Sequence, residues 1–158
     1  MKVSIPANEV VLDWLMDQAP PRTRRIRARR RIPPQDVRCH HDLYDRLLAA
    51  SAGLPDVHVR FVVGLPALVH PNNVIFAVAA GTAWFAMRLP AVGRAAVVHT
   101  QWGLRDLGQD WTDVDPWLTD MEAHEATARL RGWCRASYGY AGEVGPTIRP
   151  RVARGQGA

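Results

Sequence analysis

The sequence predicts an α+β fold, an antiparallel meander of four to five strands packed against an N-terminal helix pair and a C-terminal helix. Apolar residues recur at helical spacing towards both ends of the chain and at alternating spacing in its middle. The segments joining the strands are too short for the crossovers that a parallel sheet needs. The order helices, strands, helix then places the helices on one face of the sheet. A length of 158 residues with 47% hydrophobic content suits one α+β domain at 37–142. A helix and arm at 1–36 precede it, and a basic tail at 143–158 follows.

The first helix is expected in "ANEVVLDWLMDQ" (7–18), with Asn8 as N-cap, Glu9 in the first turn, and Val10, Val11, Trp14 and Leu15 on one face. "APP" (19–21) ends it. "RTRRIRARRR" (22–31) has no apolar face and is followed by "IPP" (32–34), so it reads as an extended or disordered arm. A second helix is expected over 38–52, with Leu43, Tyr44, Leu47, Leu48 and Ser51 on one face and Gly53 and Pro55 as its stop.

The period then changes. In "VHVRFVVG" (57–64), Val57, Val59, Phe61 and Val63 alternate with His58, Arg60 and Val62, a strand with one buried face. "HPNN" (70–73) is a turn, "VIFAVAA" (74–80) a strand, "GT" (81–82) a tight turn and "AWFAMRL" (83–89) a strand. "AAVVHT" (95–100) reads as a further strand and "QWGLRDLGQD" (101–110) as a loop. "WTDVDPW" (111–117) gives a short strand and then, at Asp115-Pro116, a helix start. A last helix over 119–141 is expected to open with a capping box from Thr119 and Glu122. Its apolar stripe is Leu130, Trp133, Cys134, Ser137, Tyr138 and Ala141.

The middle and end of the chain resemble the small TfoX N-terminal-like or YjbR-like domain over about residues 40–141. The resemblance lies in "HVRFVVGLPALV" and "NNVIFAVAAGTAWFAMRLP", at Gly64, Phe76, Ala77, Gly81, Arg88 and Leu89, and in "WTDVDPWL…LRGWCRASYGYA". It implies a compact α+β fold with regulatory or DNA-associated roles, and no catalytic constellation. The doubled glycine of that group is absent near Gly64, and the first helix, the arm and the tail fall outside the resemblance.

The net charge of +5 conceals a segregation. Segment 22–31 carries seven arginines and no acid, and segment 149–158 carries Arg149, Arg151 and Arg154 and no acid. Without these ten, ten basic residues face fifteen acidic ones. From Asp106 to Glu125 the chain holds seven acids and no Lys or Arg. An acidic body with basic appendages results, and a uniformly basic nucleic-acid-binding domain is excluded.

The arm residues Arg22, Arg24, Arg25, Arg27, Arg29, Arg30 and Arg31 are therefore the expected binding residues. Their target is nucleic acid or, alternatively, an acidic protein surface, including that of a second copy. An anionic membrane is disfavoured because the arm has so few apolar residues to insert. Trp102, Asp106, Asp110, Asp113 and Asp115 are a candidate contact surface. A small-ligand pocket near His99, Trp102 and Tyr138 is the remaining alternative.

No catalytic residue, cofactor or metal site is expected. "RCHHDLYD" (38–45) holds the best metal-ligand types, but on a helix His40 and His41 point about 100° apart. Two cysteines, no apolar run of spanning length and no secretory leader pattern lead to an expectation of a reduced, cytoplasmic protein.

Overall fold

A computed structural model of the chain describes residues 3–18, 39–90 and 110–145. Within them the fold is α+β. A turn of 3₁₀ helix, Pro6–Asn8, leads into α1 (Glu9–Gln18), and α2 is His41–Ser51. Strands β1 (His58–Val62), β2 (Leu65–Val69), β3 (Ile75–Ala80), β4 (Trp84–Arg88) and β5 (Trp111–Asp113) follow, and then α3 (Ala123–Val144). The strands form one antiparallel sheet in the order β1-β2-β3-β4-β5. The antiparallel sheet is as the sequence predicts, while β2 at Leu65–Val69 is a strand that the sequence reading did not place. The expected strand at 95–100 lies outside the described residues, as do the arm and the tail.

The layering departs from the expectation of helices on one face. Leu43 and Leu47 of α2, with Leu130, Cys134 and Ala141 of α3, pack with Leu68, Phe76, Phe85 and Met87 on one side of the sheet. Val11 and Leu15 of α1 pack with Leu65, Val69, Ile75, Val78 and Trp111 on the other. Three layers result, and the reason is visible in β2 and β3, where every residue is buried. A strand apolar on both faces needs cover on both faces.

Local chemistry sets the corners. Val63 (φ 49°) and Gly64 (φ 83°) are both left-handed, the conformation of a two-residue hairpin turn, and β2 begins directly after them. The strand expected over 57–64 therefore ends at Val62 and turns. Its expected inward face also changes, because β1 is an edge strand whose Phe61 stays half exposed against Tyr44, with ring centroids 5.6 Å apart.

Between β2 and β3, His70 N–H donates to the Val74 carbonyl (2.9 Å), and Asn72 Oδ1 accepts the Val74 N–H (3.0 Å). The β2–β3 register then slips, with Leu68 facing Ala77 and Val69 facing Ile75, which leaves Phe76 unpaired. That bulge turns both Phe76 and Ala77 towards the α2–α3 layer. The Phe76 carbonyl accepts the buried Ser137 hydroxyl at 2.6 Å, so α3 satisfies a group next to the bulge.

Two expected caps take other forms. Asn8 is fully buried and does not cap α1. Its side-chain nitrogen donates to the carbonyls of Val3 (2.8 Å) and Asn73 (2.8 Å), and its oxygen accepts the Ile75 N–H (2.9 Å). The start of α1 is thereby bonded to the start of β3. Thr119 and Glu122 form no capping box; α3 begins at Ala123 after Glu122, whose side chain makes no cap bond. The helix closes at Gly145 (φ 60°), whose N–H donates to the Ala141 carbonyl.

Asn8→Ala strands the buried Ile75 N–H and Asn73 carbonyl together, at an expected loss of about 2–4 kcal/mol of stability. Urea unfolding monitored by tryptophan fluorescence measures it; an unchanged midpoint at unchanged slope contradicts the clamp.

Candidate functional site

The acidic stretch runs along β5 and into the start of α3, and the fold consumes much of its charge. Asp110 lies 3.6 Å from Arg88 Nε. Asp113 is buried and partnered in the sheet's last strand. Asp115 Oδ1 accepts the Trp117 N–H at 2.9 Å, folding the chain into a turn towards α3. Only Asp120, Glu122 and Glu125 are exposed among its described acids. Trp102, Asp106 and His99 lie outside the described residues, as do all seven arm arginines. Tyr138 is structural: its hydroxyl donates to the Pro55 carbonyl (2.9 Å), and its ring meets His70 and Phe76.

Arg88 is the one buried cation among the described residues. It stands opposite Trp111 in the β4–β5 register, with its guanidinium 5.0 Å from the indole centroid. It also donates to the Ala7 carbonyl at 2.6 Å. Burial lowers its pKa, and the nearby Asp110 and Tyr140 oppose that shift. Arg88 thus joins the sheet edge to the turn before α1, a structural duty that an isolated arginine in an apolar segment does not announce. A second arginine, Arg46 of α2, lies 4.6 Å over the Trp117 ring and donates to the Pro116 carbonyl (2.9 Å). Between α2 and α3 a groove of about 270 Å³ is lined by Asp45, Arg46, Ala49, Ala123, Thr127 and Leu130.

The "RCHHDLYD" segment differs from its expected helix. Helix α2 starts at His41, and His40 is its N-cap, with extended-type backbone (φ −58°, ψ 139°). The two imidazoles consequently stack, with centroids 4.3 Å apart, instead of diverging. Ligand atoms of His40, His41 and Asp42 all lie within 4.8 Å of one another. Cys39 pairs with Gly81 in a short parallel bridge. Both cysteines are free; burial pushes the Cys39 thiol up to about 11 and the Cys134 thiol up to about 12.

Fold and site together define a three-layered α+β protein with an acidic body and no buried constellation of nucleophile and base among the described residues. Compared with protein-family models, curated proteins and solved structures, the chain matches none.

Arg88→Ala removes the Ala7 bond and the contact with Trp111, with an expected cost of about 2–3 kcal/mol by chemical denaturation. The thiols give a pH signature. Their pKa values rise on folding from 9.0, so the stability they contribute is complete below about pH 9 and lost as pH climbs towards 11 and 12. At about pH 8 a disulfide reagent should therefore label the native chain far more slowly than the urea-unfolded chain; equal rates contradict the burial.

Proposed function

We propose that this chain is a non-enzymatic nucleic-acid-binding protein whose arginine segment, Arg22 to Arg31, contacts phosphate while the α+β body carries it. The charge of the body supports this reading above all. The described residues hold thirteen Asp and Glu against six Arg. A body of that net charge repels phosphate, so attraction is expected chiefly at the arm and the basic tail, which carry ten arginines and no acid. The acids best placed in sequence to receive the arm, Asp110, Asp113 and Asp115, are already engaged by the fold. The resemblance to TfoX N-terminal-like domains points the same way.

Contacts of this kind read phosphate more than base, so affinity is expected to be high at low salt and only weakly dependent on sequence. The second reading is docking of the arm on an acidic protein surface. The exposed Asp120, Glu122 and Glu125 favour it, since three acids at one helix start offer partners for arginine forks.

Fluorescence anisotropy with a labelled random-sequence duplex, from about 50 to about 200 mM salt, separates the two. If all seven arginines meet phosphate, the log–log salt slope approaches about −6. Replacing Arg24, Arg25, Arg29 and Arg30 by Ala should reduce its magnitude by about 3 to 4. No binding at the lowest salt overturns the proposal. Light scattering showing an oligomer that this variant loses would favour the protein-docking reading instead.

A further inference from the structure

We propose that His40, His41 and Asp42 form a surface site for one divalent transition-metal ion of the zinc or nickel type. Two imidazoles and one carboxylate suit such ions, with water completing the coordination. The helical geometry that would keep the two histidines apart does not occur, because His40 precedes the first turn of α2. His40 Nδ1 lies 3.6 Å from one Asp42 oxygen, and His41 Nε2 lies 3.1 Å from the other. Donors about 2.1 Å from a tetrahedral ion stand about 3.4 Å apart, and each imidazole lies at about that distance from one or the other oxygen of the carboxylate.

His40 is also hydrogen-bonded within the cluster. Its Nδ1 accepts the Asp42 N–H at 3.3 Å, so in the neutral ring that nitrogen carries a lone pair and no proton. The same nitrogen lies 3.6 Å from an Asp42 carboxylate oxygen. The 3.3 Å bond is long, and a metal ion competes with it at little cost. Asp45, four residues beyond His41 and exposed, adds negative charge on the same side of the helix and offsets the positive end of its dipole.

Cys39 is outside the donor set. Its Sγ is directed to the His40 carbonyl at 3.6 Å. The site is therefore open, lies on the surface, and has nitrogen and oxygen donors.

Isothermal titration of the untagged full chain at neutral pH, with zinc chloride and separately with nickel chloride, tests the assignment. One ion per chain is expected. His41→Ala and Asp42→Asn should each weaken binding at least about tenfold, since even outer-sphere partners of metal ligands contribute that much. His40→Asn keeps an acceptor for the Asp42 N–H and should weaken binding equally, with its fold checked by circular dichroism. The exposed His58 and His124 serve as controls; their alanine variants should bind as the parent does. Absence of saturable uptake by the parent overturns the proposal, and so does parental affinity in His41→Ala.

Discussion

The backbone of β3 is buried from Ile75 to Ala80 on both faces of the sheet, and most of the architecture answers that one condition. A strand removed from water on both sides has to spend its polar groups on its neighbours and its apolar groups on two separate layers. Strands β2 and β4 take the ladder bonds. The α2–α3 pair covers one side and α1 the other. Where the ladder slips at Phe76, α3 sends Ser137 to the exposed carbonyl. Where the strand begins, Asn8 takes the Ile75 N–H. Each layer is thus held to β3 by a buried polar bond as well as by apolar packing, which fixes its register on the sheet.

Charge follows the same economy. The acids on either side of β5 brace a buried arginine, line the last strand and shape the turn into α3. Through these contacts they act inward, on the fold itself. The chain has a high calculated pI, about 10.0, yet its described residues hold more acidic than basic groups.

The α3 stripe was legible because it writes its burial into a local period, whereas the meander was legible from short apolar runs set off by turn residues. The third layer was not, because burial on both faces abolishes alternation in β2 and β3 and leaves a uniform apolar run. The Val63-Gly64 corner was missed because a β-branched residue at φ 49° contradicts turn propensity and is held there by the strands it joins. Asn8 looked like a cap because its real partners, Asn73 and Ile75, are more than sixty residues away. The histidine pair was misjudged by a helix start drawn three residues early, which is enough to change the direction of a side chain. The arm was conspicuous from composition alone, and composition names a charge without naming its partner.

The bridge between Cys39 and Gly81 has a mechanical meaning. His40 N–H also donates to the Gly81 carbonyl at 2.8 Å, so the chain is clasped to the β3–β4 turn just before it enters α2. The N-cap of α2 is thereby anchored to the sheet, so the place where the helix begins depends on the β3–β4 turn as well as on the packing of the helix itself.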